Sequence, residues 1–353
     1  MRHLIKPTKD KLVLVLETSC KSPCKHCFIE PGQKVFRRAK EIAEKAFDLG
    51  YSVYFYATEI SPECFDVYKN VGQNEADSSI CVRGDTALSE LDWLVQKRGR
   101  IGFSLHGAKK ETQEALSGRG SFDKTLDAIR YVAAHNPKAQ MNIWSVIHKK
   151  NADEIRAVCE IARDLGIHEL TFAKMGYLGR ARRLDTSWFL SFEDVSKVIS
   201  TVKSICESGA FPNPHITLAP NWGLTRKQAS KFREGDKLPY YRTKKFCPAG
   251  VQHFTVDART MLVYPCHHFS ADRRFGIGYW SKRGIIITDD SFMNAVKNLD
   301  EPCGGCDDLD ICGGGCRAEA IAEHLRLTGE YSYSAALIYC RRLVQDYSGQ
   351  IIE

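Results

Sequence analysis

Three cysteines stand out for their spacing: Cys20, Cys24 and Cys27 form C-x3-C-x2-C in the segment CKSPCKHC. A four-iron cluster takes four ligands, so three thiolates would hold it and leave one iron open to bind something else. The alternative for this motif is a zinc site completed by a nearby histidine such as His26. Pro23 makes the segment an extended loop rather than a helix, which lets successive thiolates wrap around one metal body. A second group, Cys303, Cys306, Cys312 and Cys316, reads C-x2-C-x5-C-x3-C, and Cys247, Cys266 and Cys340 flank it. Its glycines allow close backbone approach to a ligand and suit a four-cysteine zinc knuckle as well as a cluster. The two groups and the flanking residues account for ten of the 14 cysteines, more than one structural zinc can use. The others, Cys64, Cys81, Cys159 and Cys206, lie in apolar or helical patterns and read as small buried hydrophobes.

The elements that must position these cysteines alternate in type. Short β-type runs near residues 12–17, 52–56, 79–82, 100–105, 140–147 and 169–173 alternate with helical patterns near 35–49, 62–71, 88–96, 122–134 and 152–165. Such alternation predicts βα units and a parallel sheet. Six units are too few for a closed eight-stranded barrel, so the fold class is α/β, an incomplete (β/α)6 TIM-like barrel. Chemistry on such barrels sits at the carboxyl ends of the strands, and Cys20, Cys24 and Cys27 follow the first strand directly. Three segments are expected: a core over 12–177, a linker or bridging helical region over 178–245 with a helix near 192–206, and a small loop-rich, cysteine-ligated domain over 246–353.

Composition narrows the class. The chain has 353 residues, 43% hydrophobic and 26% charged, the ordinary globular mix. Net charge is +7, from 50 basic and 43 acidic residues, a mild bias that argues against a dedicated nucleic-acid binder. The basic clusters, among them Arg180, Arg182 and Arg183, read as solvated faces. No apolar run reaches the ~18 residues of a spanning helix, and the start shows no export signal. A soluble, cytoplasmic protein follows, and there thiols stay reduced and clustered cysteines point to metal or redox chemistry.

The C-x3-C-x2-C loop after a first strand, within a six-unit βα domain, resembles the radical S-adenosylmethionine enzymes. The seven cysteines from Cys247 to Cys340 resemble the SPASM extension of that family, and Phe103 to Arg130 resembles the region after its fourth barrel strand. The resemblance implies that Cys20, Cys24 and Cys27 ligate a cluster whose open iron takes the amino and carboxylate groups of S-adenosylmethionine. One-electron reduction would then release a 5'-deoxyadenosyl radical that abstracts a hydrogen atom from substrate. Cys303, Cys306, Cys312 and Cys340 would hold one auxiliary cluster and Cys247, Cys266 and Cys316 another, for three [4Fe-4S] clusters in all. Seven cysteines serve eight positions, so the second set is either left open or completed by another residue, with His253, His267 and His268 the candidates.

The family's Gly-Gly-Glu-Pro element appears here as Ala57, Thr58, Glu59 and Ile60, with Glu59 the acid that would meet the cofactor's ammonium group and Thr58 beside it. Ser104 corresponds to a ribose-contacting position, and adenine is expected beside Lys174 to Tyr177, with Met175 in that stretch. Met261 stands where relatives carry glycine, which would weaken the turn before Cys266. Sulfatase-maturing relatives have aspartate where His267 stands, which argues against formylglycine formation; His267, His268 or Tyr264 would be the base instead.

The expected function is hydrogen-atom abstraction from a peptide side chain or backbone carbon, in peptide maturation under anaerobic conditions. The alternatives are the same chemistry on a small metabolite, such as a sugar, nucleoside or tetrapyrrole, and a non-enzymatic iron–sulfur electron carrier. The first strand begins within a dozen residues of Met1, leaving no room for a fused leader-peptide domain, which lowers the peptide reading without removing it. A flavodoxin or ferredoxin-type reductant is the implied partner; no membrane and no specific nucleic acid are expected.

Overall fold

The computed structural model describes residues 3–17, 24–29, 35–57, 67, 79–82, 92, 95, 100–219, 222, 247–297, 303, 305–306 and 315–334. Cys20, Thr58, Glu59, Cys64, Cys312 and Cys340, and almost all of the helices expected near 62–71 and 88–96, lie outside these residues.

The strands are β1 His3–Leu4, β2 Leu12–Glu17, β3 Ser52–Ala57, β4 Ser79–Val82, β5 Arg100–Ser104, β6 Gln140–Ile147, β7 Glu169–Lys174, β8 His215–Leu218, β9 His253–Asp257, β10 Leu262–Tyr264, β11 Gly278–Ser281 and β12 Gly284–Ile287. The helices are α1 Phe36–Asp48, α2 Lys110–Ser117, α3 Ser121–His135, α4 Ile155–Asp164, α5 Phe192–Glu207, α6 Ser291–Lys297 and α7 Arg317–Thr328. β4 to β8 form a parallel sheet in chain order. This is the curved half-barrel that the βα alternation predicts. The expected six strands are all present, each within a residue or so of its expected ends.

Sequence periodicity explains the helices that cover the sheets. In α1, Ala39, Ile42, Ala43 and Ala46 recur at helical spacing and are buried; in α4, Ile155, Val158, Cys159 and Ala162 do the same. Burying an Ile or Val of this kind stabilises the fold by roughly 2 kcal/mol. α5 begins with a reciprocal cap: the Asp194 amide donates to Ser191 Oγ at 3.1 Å and the Ser191 amide to Asp194 Oδ2 at 2.9 Å.

Three features depart from the sequence reading. The Pro-rich stretch within the expected linker contains β8, which pairs in parallel with β7 and extends the half-barrel. Within the loop-rich C-terminal region that the sequence anticipates, β9 to β12 run as an antiparallel meander, and β9 pairs in parallel with β2 along Leu12 to Leu16, a pairing the sequence did not indicate. The first barrel strand is thus flanked by β3 on one side and by a C-terminal strand on the other. One core joins them, with Val13, Val15 and Ile42 packed alongside Phe254, Phe269, Phe292 and Ile321. Third, Cys206 is exposed rather than buried, because it lies in the last turn of α5 on the face turned from the core; Cys159 is buried as expected. Among the described residues no helix is long and apolar enough to cross a membrane.

Candidate functional site

Cys24 to Ile29 follow the carboxyl end of β2 and are held by contacts from elsewhere in the half-barrel. The Lys25 amide donates to the Leu116 carbonyl at 2.8 Å, and the Cys24 thiol lies 3.9 Å from the Ser117 carbonyl, both at the end of α2. The Arg180 amide donates to the Cys27 carbonyl at 2.9 Å. Gly179, at φ 51°, lies so close that a Cβ there would sit 2.4 Å from the Cys27 oxygen and 2.5 Å from Phe28 Cα. Arg180, read from sequence as part of a solvated face, instead reaches this loop. Burial pushes the Cys27 thiol up, while hydrogen bonds from the Ile29 amide, 3.4 Å from Sγ, and from the Arg180 side chain pull it back toward thiolate. Donors converging on sulfur suit a ligating thiolate.

Below this loop, alternation along the strands sorts side chains to two faces. Phe103, Leu105, Ile143 and Ile147 pack outward under the helices, leaving Ser104, His106, Trp144 and Val146 on the concave face. Ser104 is half-buried there. Met175 is buried with Leu116, Ala181, Trp188 and Phe189, against Val146 and Tyr177. Three imidazoles gather at the mouth. The rings of His26 and His106 are 4.6 Å apart, and His148 lies close enough to feel the charge of His26. Burial first, then Arg180, lowers His26 to about 4; burial, His26 and Lys150 lower His148 to about 3; burial and the other two imidazoles hold His106 well below its ordinary value. The Val146 amide donates to His106 Nδ1 at 3.0 Å and the Lys150 amide to His148 Nδ1 at 3.2 Å, so both rings are neutral with the proton on Nε2. In the sequence His26 stood out only as a candidate zinc ligand beside the cysteines, and nothing separated His106 and His148 from ordinary polar residues, since each comes from a different βα unit.

The second centre lies where the C-terminal region meets the barrel. Cys247, Cys266 and Cys316 face one another closely enough that each thiol of the first two is raised, after burial, by its neighbours' charge. Backbone amides aim at all three sulfurs: those of Ala249 and Arg317 at Cys247, those of His268 and Phe269 at Cys266, and that of Ala318 at Cys316. Arg317 and Ala318 open α7, so the free amides of a helix N-terminus supply two of these donors. Lys174, at the end of β7, forms a buried ion pair with Glu319 on the first turn of α7. Burial lowers Lys174 to about 8 against the pull of Glu323 and Cys316. Backbone donors directed at three thiols fit an iron–sulfur body. Among the described residues, however, no three Cys, His, Asp or Glu side chains converge tightly enough to hold a single metal ion.

The remaining candidates separate in space. His268 Nδ1 lies 3.7 Å from Cys316 Sγ. His267 is adjacent, held well below its ordinary pKa by burial and then by His268 and His253, while His253 itself is exposed at the start of β9. Tyr264 lies in the core with its hydroxyl buried, its pKa pushed up to about 12 by burial and then by Asp257; it does not have the character of a base. Cys303 is buried, and its carbonyl accepts from the Cys306 amide at 3.2 Å. A second basic residue of the stretch after β7 is drawn inward besides Arg180: Arg182 pairs with Asp272 at 3.1 Å, an acid that Arg274 and the Tyr331 hydroxyl share.

No family model matches the chain. It is 23% identical over 343 residues to the mycofactocin maturase MftC of Mycobacterium tuberculosis, covering 89% of this chain and 80% of that protein. It is 25% identical over 246 residues to a PqqA peptide cyclase of a Methylobacterium species, covering 67% of this chain but only 59% of the cyclase. Among solved structures, anSMEcpe with bound AdoMet and the Kp18Cys peptide superimposes with a TM-score of 0.69 at 17% identity, covering 96% of this chain and 97% of that one. Streptococcus suis SuiB bound to its precursor peptide SuiA gives 0.66 at 15% identity, covering 94% and 75%. With its half-barrel, its cysteine loop after β2 and its C-terminal cysteine-bearing meander, the chain shares the radical S-adenosylmethionine fold of anSMEcpe and SuiB.

Proposed function

We propose that this protein is a radical S-adenosylmethionine enzyme of peptide maturation. The observation that carries the reading is the cysteine loop at the carboxyl end of β2, with Cys27 held by hydrogen bonds from Arg180 and Ile29 over the concave face. Cys20, Cys24 and Cys27 would hold the first [4Fe-4S] cluster, Cys247, Cys266 and Cys316 the second, and Cys303, Cys306, Cys312 and Cys340 the third. When bound, the first cluster and S-adenosylmethionine supply reductive cleavage to a 5'-deoxyadenosyl radical and hydrogen-atom abstraction. Ser104, Met175, Thr58 and Glu59 would position S-adenosylmethionine, the buried neutral imidazoles would keep the mouth free of competing positive charge, and His267 would take up a substrate proton. A flavodoxin or ferredoxin-type protein would deliver the electron.

A peptide substrate is supported by the names of the similar proteins, a peptide cyclase, a maturase and a structure holding a precursor peptide. The test is anaerobic reconstitution, iron counting and assay of 5'-deoxyadenosine after reduction, followed by mass spectrometry of short peptides encoded beside the gene. About twelve irons, at four per cluster, deoxyadenosine formation lost in Cys24→Ala, and a peptide mass change are expected. Zinc in place of iron, or no cleavage with any reductant, overturns the reading; cleavage with turnover only of a small metabolite overturns the peptide part.

A further inference from the structure

Lys174 is the last residue of β7, and it faces the opposite way from its neighbour Met175. It continues the outward face of Leu170 and Phe172, which pack under the helices, whereas Met175 joins the cluster at the mouth. Beyond the end of the sheet that outward face meets α7, the helix that begins directly after Cys316. There Lys174 Nζ pairs with Glu319, the two side chains 2% and 1% exposed. Around them, Arg317 and Glu323 are also buried, and Glu323 has its own partner, Arg326, at 2.7 Å. Lys174 and Arg317 are the cations whose fields reach the Cys316 sulfur.

A buried ion pair gives less stability than apolar residues packed in the same volume, because both charges must leave water. Holding one at the junction of half-barrel and cysteine region therefore calls for another account. Cluster reduction adds a negative charge, and in a low-dielectric setting a fixed nearby cation stabilises that charge while a fixed anion opposes it. Lys174 and Glu319 are such a pair, one from the barrel strand that leads to the S-adenosylmethionine face and one from the helix that opens on the ligand.

We infer that Lys174 sets the reduction potential of the iron–sulfur centre held by Cys247, Cys266 and Cys316, with Glu319 as its counter-charge. The inference rests on the reading of those three cysteines as cluster ligands. Lys174 acts through the thiolate and not on substrate; it is a positioning residue for charge. It links barrel strand β7 to the auxiliary centre, so that displacement of β7 alters the readiness of that centre to take up an electron.

The test is EPR-monitored redox titration of the reconstituted full-length protein, following the signal that Cys316→Ala removes. Lys174→Met is expected to move the midpoint to more negative potential and Glu319→Gln to more positive potential, while Lys174→Arg stays with the wild type. Opposite signs from the two halves of one ion pair are the signature, since a merely structural role would loosen the site in the same sense in both. If Cys316→Ala leaves iron content and spectrum unchanged, the assignment of the cysteines fails and the inference with it. If that variant removes a signal but the midpoints of Lys174→Met and Glu319→Gln match the wild type or move together, the inference alone is overturned. Should Lys174→Met fail to fold, the sign of the Glu319→Gln shift decides.

Discussion

The ring of Phe28 lies 4.8 Å from that of His267 and 5.1 Å from that of His268, so the residue after Cys27 touches the turn that follows Cys266. The two cysteine centres thereby share a wall. Phe28→Ala is expected to lower stability by about 2 kcal/mol, less than for a fully buried ring because Phe28 is only half-buried. Phe28→Leu should lose less. Thermal unfolding under anaerobic conditions checks both, and an unchanged transition in Phe28→Ala would show that the shared wall carries no energy.

His267 is neutral at pH 7 and so able to accept a proton. A general base is worth roughly 10²- to 10⁴-fold. His267→Phe should therefore retain formation of 5'-deoxyadenosine while product formation falls by about that factor. Equal turnover in the variant removes His267 from the chemistry.

At Gly179 the close approach to Cys27 and Phe28 and the positive φ act together. An alanine there incurs about 1–2 kcal/mol for the left-handed backbone alone, besides a methyl driven into the loop's own backbone. Gly179→Ala should bind about four fewer irons and lose S-adenosylmethionine cleavage, while the spectrum of the auxiliary centres persists. Full iron loading would contradict the packing.

Met261 is the one non-glycine among the described residues with positive φ, at 62°. This is the position at which the sequence reading anticipates a glycine turn, and the turn forms nonetheless, carrying left-handed strain between β9 and β10. Met261→Gly should relieve it, offset in part by the freedom glycine gains in the unfolded chain, for a net gain of up to about 1 kcal/mol. The check is a small rise in the unfolding midpoint; a fall would show that the Met261 side chain contributes more to packing than its backbone loses.

His148 links folding to pH. Burial holds its folded pKa at about 3, against 6.5 for the free side chain, so below pH 6.5 the unfolded chain binds a proton that the folded chain refuses. Stability should fall as pH drops from 6.5 toward 3, by up to about 1.4 kcal/mol per pH unit for this one group. His148→Gln should flatten that acid limb, read from denaturant unfolding between pH 7 and 5. Parallel slopes in the two proteins would exclude the link.

What the sequence determined alone is local. The cysteine loop, the strand at residues 12–17 and the amphipathic faces of α1 and α4 were legible because side-chain alternation and ligand spacing are properties of neighbouring residues. Tertiary structure decided what depends on distant partners. β8 is a strand because β7 offers it an edge, despite the prolines around it. β9 lies beside β2 although Leu12 and its partner His253 stand 241 positions apart in the chain, and parallel strands always need a long crossover. Arg180 read as part of a solvated face and Lys174 as the start of the stretch beside adenine until the fold places one on Cys27 and the other, with Glu319, beside Cys316. A charge announces its type in the sequence; its burial, and hence the strength of its field, exists only once the chain has closed around it.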